Sequence, residues 1–147
     1  MRLGRDLSQL LQEGDMLALS GGPGAGKTTL ARALILTHLA ANGRVEDVPS
    51  PTFTLVQTYE SPELLLTHVD LYRIDDESEL AELGLADALD EGALLIEWPD
   101  KAPQALDRLH ATRLDIELAI MGEGRREARL KTANADWIAR LHQWGRA

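Results

Sequence analysis

The chain has 147 residues, 44% of them apolar, which suits one folded domain with a real core and argues against disorder. Its 24 acidic residues against 15 basic ones give a net charge of −9, which speaks against a tight, unaided binder of RNA or DNA and requires any anion site to be locally positive. No apolar run reaches 18 residues, the N-terminus lacks a secretory apolar stretch, and there is no cysteine, so no membrane span, disulfide or thiolate metal site is expected and a reducing cytoplasm is the natural setting.

Leu3, Leu7, Leu10 and Leu11 fall on one helical face, and Gly14 ends that helix. Residues 16–20 read as a short buried strand. A glycine-rich loop follows, then a helix over 27–41 with Leu30, Leu34, Ile35 and Leu39 as its buried stripe and Asn42-Gly43 as its stop. Pro49 and Pro51 stiffen the loop over 44–52. Residues 53–60 and 64–70 form a predicted hairpin around Ser61-Pro62. An acidic, Leu-rich helix is predicted over 77–90, a buried strand over 93–97, and a second hairpin over 113–120 and 128–132, turning at 122–124. A terminal helix over 136–144 places Trp137, Ile138, Leu141 and Trp144 on one side. No linker or repeat divides the chain, so a single domain over 1–147 is expected, and strands mixed with helices predict an α/β sandwich whose strand order stays open.

The loop Gly21-Gly22-Pro23-Gly24-Ala25-Gly26-Lys27-Thr28 fits G-x-x-x-x-G-K-[ST] in full. Its glycines let backbone N–H groups converge on phosphate oxygens, and the helix starting at Lys27 adds unpaired N–H donors and the positive end of its dipole. Lys27 supplies a cation for β- and γ-phosphates, and Thr28 a hydroxyl for Mg²⁺. A chance glycine turn is the competing reading, and the apolar strand before the loop and amphipathic helix after it weigh against that. The expected fold class is therefore a P-loop NTPase-like three-layer sandwich with a mixed central sheet.

A phosphate site of this kind needs a carboxylate at the end of a neighbouring strand. Asp70 ends one predicted strand and Glu97 another; each also reads as an ordinary strand-end acid or turn cap. His68 shares a strand face with Asp70, either orienting it or serving as a plain strand histidine. Ser50 and Thr52 lie in the proline-braced loop, where a threonine either reaches Mg²⁺ or the γ-phosphate, as switch residues do, or is a simple turn residue. The guanine-reading Asn-Lys-x-Asp is absent, since neither Asn42 nor Asn134 precedes a lysine, and this favours ATP.

Gly24-Ala25-Gly26-Lys27-Thr28-Thr29-Leu30, Ser50-Pro51-Thr52-Phe53-Thr54-Leu55-Val56, His68-Val69-Asp70-Leu71-Tyr72-Arg73 and Ile96-Glu97-Trp98-Pro99 occur in this order. Together they resemble the TsaE (YjeE) family, from Leu3 to about Pro103. The resemblance implies a small ATPase, weak alone, that acts with TsaD and TsaB in making N6-threonylcarbamoyladenosine on tRNA beside the anticodon, with tRNA contacted through the complex. It also implies that Gly21 to Thr29 with Lys27 and Thr28 hold ATP, that Lys27, Thr52, Asp70 and Glu97 serve catalysis, that Thr28 and Glu97 hold Mg²⁺, and that Asp70 and Trp98 border the nucleotide.

The chain departs from the family pattern in three places. Gly21-Gly22-Pro23 stands where relatives read Gly-Asp-Leu, so the loop tip loses an acid and gains rigidity. A family threonine near the adenine would precede Leu3-Gly4, and the chain begins too late to include it. Beyond Pro103 no family block is matched; Arg125-Arg126-Glu127-Ala128-Arg129 reads as a solvated strand, with an RNA- or partner-facing surface as the competing reading. A small-molecule kinase and a nucleotide-binding switch without hydrolysis are the alternative functions. A kinase needs an arginine-bearing lid, and the dense arginine cluster lies in the second hairpin.

Overall fold

A computed structural model describes residues 2–44, 46–49 and 55–145. Its centre is a six-stranded sheet in the order β2-β3-β4-β1-β5-β6. The strands are β1 (Asp15–Ser20), β2 (Val56–Tyr59), β3 (Leu65–Asp70), β4 (Gly92–Glu97), β5 (Thr112–Gly122) and β6 (Arg125–Lys131). The inner four run parallel, and β2 and β6 close the two edges antiparallel. This is the expected α/β sandwich with a mixed sheet.

Near-continuous apolar strands are what a sheet covered on both faces requires. Every residue of β4 is buried, and so are the first five of β1. Alternation sends Leu17, Leu19 and Leu95 to one face, under α1 (Arg2–Leu10), α2 (Lys27–Ala41) and α5 (Ala135–Trp144). Met16, Leu94 and Ile96 face the other side, under α3 (Leu85–Glu91) and α4 (Pro103–Asp107). Parallel register then sets Asp70 of β3 beside Glu97 of β4, and Leu19 of β1 beside Glu97. The carboxyl ends of three strands meet at one rim, where ligands bind in open α/β sheets.

Four readings change. The helix expected over 77–90 is two pieces, a 3₁₀ segment Glu77–Leu83 and α3, because Gly84 between them takes φ 68°, a left-handed conformation that ends a helical run. Asp76 and Glu79 close a reciprocal cap at the start of the first piece. The last strand begins at Arg125 rather than 128, so the hairpin is longer than its apolar residues suggest. Ile138 is 53% exposed, whereas Trp137 is fully buried, so the terminal helix buries a narrower stripe than expected. The short α4 went unread. Among the described residues no helix is long and apolar enough to cross a membrane.

Helix α5 is fastened to the far end of β1. Asn134 caps it by accepting from the N–H groups of Asp136 and Trp137. The Trp137 Nε1 donates to the Thr112 carbonyl at 3.0 Å. The Arg140 guanidinium forms a fork on Asp15, at 2.7 and 2.9 Å, with Asp15 1% exposed. Burial works against the Arg140 charge, but its hydrogen bond to Asp15 and the charges of Asp15 and Asp136 outweigh it and hold its pKa above the ordinary arginine value.

Candidate functional site

The loop after β1 turns into α2 through glycines, and Gly21 has a geometric reason to be one. Its φ is 142°, and a Cβ there would lie 2.4 Å from the Leu118 carbonyl oxygen of β5. The first helical bond of α2 runs from the Leu30 N–H to the Gly26 carbonyl at 2.9 Å. The N–H groups of Lys27, Thr28 and Thr29 therefore have no acceptor within their own helix and lie at its positive end.

A cleft of about 390 Å³ opens at this helix start. Lys27, Thr28, Asp70, Glu97, Trp98 and Arg126 are among its walls, beside Pro23, Gly24, Gly26 and Thr29. Lys27 is 5% exposed. Its ammonium donates to the Gly21 and Gly22 carbonyls at 2.8 and 2.9 Å and lies 4.0 Å from the centre of the Trp98 ring. Burial lowers its pKa from the ordinary lysine value, and Glu97, Asp70 and Asp100 push it part of the way back.

Glu97, 2% exposed, is gripped at both oxygens. The Thr28 hydroxyl donates to Oε1 at 2.6 Å, and the His68 Nε2 lies 2.6 Å from Oε2. A buried carboxylate accepts, so Nε2 carries the proton. His68 is thus directed at Glu97 across the strand pair, a partner that neither sequence reading, orienting Asp70 or a plain strand histidine, had named. The Asp70 carboxylate accepts from the Tyr72 N–H at 2.9 Å, a turn-capping role that it combines with a place on the cleft wall. Trp98, φ 59°, and Leu55, φ 66°, are the non-glycine residues with positive φ among those described. Trp98 directly follows Glu97, and the Leu55 carbonyl accepts from the Asp70 N–H. Backbone strain of roughly 1–3 kcal/mol per residue is therefore concentrated beside the two acids.

Thr28 Oγ1 and Glu97 Oε1 are both hard oxygen donors, and their separation is close to the roughly 2.9 Å between adjacent oxygens in an Mg²⁺ octahedron. Among the described residues no group of three or more His, Cys, Asp and Glu forms a closed metal cage. That donor set fits Mg²⁺, which takes few protein ligands and keeps its remaining positions for water and phosphate.

The structure brings together Gly21 to Thr29, Asp70, Glu97 and Trp98. Thr52 and Ser50 lie outside the described residues. Arg126 went unread as a site residue because its charge run has the pattern of a solvated strand; its proximity to the loop comes only from the hairpin's overshoot past β1. The cleft's lining side chains pair two cations with two carboxylates, so the locally positive site that the acidic composition called for rests on the helix N–H groups.

Residues 1–128 match the family model described as "Threonylcarbamoyl adenosine biosynthesis protein TsaE". The chain belongs to the TsaE family. The match extends well past Pro103, where the sequence blocks had run out, and includes Arg126. The chain is 32% identical to the tRNA threonylcarbamoyladenosine biosynthesis protein TsaE of Rickettsia felis over 92% of its length and 75% of the relative's. It is 33% identical to the protein of that name from Aquifex aeolicus, over 88% of its own length and 86% of the relative's. The crystal structure of Bacillus subtilus YdiB shares the fold, with a TM-score of 0.74 over 99% of this chain and 86% of that one, at 24% identity.

Proposed function

We propose that this TsaE-family chain is an ATP-binding, weakly hydrolysing subunit that supports TsaD and TsaB in forming N6-threonylcarbamoyladenosine on tRNA, in the cytoplasm. The observation that carries the reading is the junction of Lys27, Thr28 and Glu97 at the start of α2. Converging N–H groups, a half-screened ammonium and a hydroxyl–carboxylate pair are what a phosphate chain and a hard cation require.

In this reading Lys27 holds the β- and γ-phosphates, the N–H groups of Gly24 to Thr29 line the phosphate path, and Thr28 and Glu97 hold Mg²⁺. Bound there, Mg²⁺ would neutralise charge that builds on the phosphate oxygens. His68 keeps the Glu97 carboxylate turned toward Thr28. Asp70 borders the terminal phosphates, and Thr52 is the switch residue that tells a partner whether the γ-phosphate is present. An acidic chain is poorly suited to grip and modify RNA alone, so the site suits an energy-coupling subunit rather than the modifying enzyme.

The test is phosphate release by wild type and Thr52→Ala, each with and without TsaD and TsaB, beside a modification assay on unmodified tRNA. Slow release alone, faster release with the pair, and loss of that gain in Thr52→Ala are expected. A pair that neither binds this chain nor changes its rate, with modification running over many turnovers without it, would overturn the reading. Transfer of phosphate to a small acceptor instead of water would favour a kinase, and nucleotide binding with no release under any condition a switch without hydrolysis.

A further inference from the structure

A groove of about 370 Å³ opens on the face of the sheet away from α2, between the 3₁₀ segment Glu77–Leu83, α3 and α4. Leu80, Leu85 and Leu109 line it together with Ala81, Ala86 and Ala105, an apolar seat with room for an anchoring side chain. Glu77 and Asp87 stand on its walls, and Arg108 is the one basic side chain that lines it.

The surface around the groove carries more charge than its helices need. Between residues 75 and 91 stand eight acidic residues, a third of the chain's 24, and no lysine or arginine occurs from 74 to 100. Three of the eight cap helix starts. Asp76 and Glu79 close the 3₁₀ segment, and Glu77 Oε1 accepts from the Ala105 N–H of α4 at 2.9 Å. Asp90 and Glu91 do the reverse, since they stand in the last turn of α3, where a helix favours cations. None of the ion pairs among the described residues takes in any of the eight. Acids gathered in this way repel one another, and a basic surface laid against them relieves that repulsion.

The groove also has a telling place in the chain. It is built on the crossover that runs from Asp70, the last residue of β3, into β4 and so to Glu97. The Leu71 N–H donates to the Glu97 carbonyl at 3.1 Å, which ties the start of that crossover to its end. Yet the groove and the nucleotide cleft share no lining residue. An occupant can therefore bear on the link between the two acids while leaving the cleft open.

We infer that this groove is a docking site for the partner pair, and that it takes a basic segment of that pair with an apolar side chain seated on the leucines. The inference rests on the partner reading above and gives that reading a surface and a chemistry. Acidic walls repel RNA and anionic lipid and attract lysine and arginine, while the apolar floor supplies the buried anchor of a specific contact.

The test is the affinity of the TsaD–TsaB pair for wild type, Glu82→Lys/Asp87→Lys, Ala86→Trp and Arg108→Glu, in ATP and Mg²⁺. Each variant's melting temperature and its affinity for ATP alone are measured beside it. All four positions are exposed, so the fold and ATP affinity should stay as in wild type. The double reversal should weaken pair binding by about tenfold at about 0.15 M salt and by much less at high salt. Ala86→Trp fills the groove at constant charge and should weaken binding by about tenfold at both. Arg108→Glu should tighten it by about threefold. Pair binding indifferent to the double reversal or to Ala86→Trp would overturn the inference. Weakening by Arg108→Glu would mean an acidic occupant and overturn it as well. Self-association of the chain that the double reversal abolishes, with pair binding kept, would give the groove to a second copy instead. A pair that does not bind wild type at all removes the partner reading and the inference with it, an outcome distinct from a pair that binds every variant equally.

Discussion

Single side chains at the helix start make the sharpest demands. A charge-assisted contact to phosphate contributes about 1.5–3 kcal/mol, so Lys27→Ala should lower ATP affinity by one to two decades in calorimetry. Glu97→Gln keeps the shape of the side chain but removes the charge that Thr28 and His68 address. Hydrolysis measured against Mg²⁺ concentration should then shift to higher Mg²⁺, while nucleotide binding without metal changes little; superimposable Mg²⁺ curves would leave the metal role with Asp70. The pH dependence follows from Lys27. Its pKa is lowered by burial in the free site, and the negative phosphates of a ligand raise it again. On the alkaline side, above the lowered pKa and below the raised one, binding must therefore take up a proton, and the apparent binding enthalpy should depend on the ionisation enthalpy of the buffer. Gly21, Lys27 and Thr28 were legible in the sequence as one loop because a one-dimensional motif fixes their types and spacing, whereas the residues alone left Glu97 as one of two strand-end acids and only the resemblance singled it out. His68 as the partner of Glu97 was not legible, because a strand face shows which residues point together, not which neighbouring strand they reach.

Elements were read well where one periodicity ruled and poorly where it was interrupted. The stripe of α2 and the apolar run of β4 are unmixed signals. The run over 77–90 has acidic residues and leucines at helical spacing on both sides of Gly84, and only the backbone sign at that residue divides it. The anchoring of α5 makes its own prediction. Asp15→Ala leaves the Arg140 guanidinium mostly buried with its best partner gone, a loss of about 3 kcal/mol that lowers Tm by roughly 10 °C. ATP affinity at temperatures well below the transition should be unchanged, since the pair sits at the opposite end of β1 from the phosphate loop. Calorimetric unfolding and titration of the same variant check both statements.

For the whole molecule, β1 and β4 supply residues to the cores on both faces of the sheet, which ties the two layers to one unfolding event. A ligand at the rim of that sheet should then stabilise everything at once. ATP with Mg²⁺ at about a hundredfold its Kd adds roughly 2.7 kcal/mol, a Tm rise of several degrees, and Lys27→Ala should lose most of it when measured at the same ligand concentration. The overall class was legible because strand–loop–helix order and mixed hairpins allow few architectures. The overshoot of β5 past β1 was hidden, since Arg125 to Lys131 carries the charge of a solvated edge and its position over the loop exists only in three dimensions.

The placing of the three tryptophans turns the protein into its own two-channel optical probe. With one phenylalanine and two tyrosines in the chain, its ultraviolet emission is mainly indole light. Trp98 lies against the Lys27 ammonium, while Trp137 is sealed between β5 and Arg140. One indole is set to sense occupancy, the other the integrity of the frame. In a Trp144→Phe background, Trp137→Phe should leave emission that changes on adding ATP, and Trp98→Phe should leave emission silent to ATP that shifts to the red only when denaturant releases α5. An ATP response that survives loss of Trp98 would mean that the site and the terminal helix communicate along β1, and occupancy could then be read from the far end of that strand.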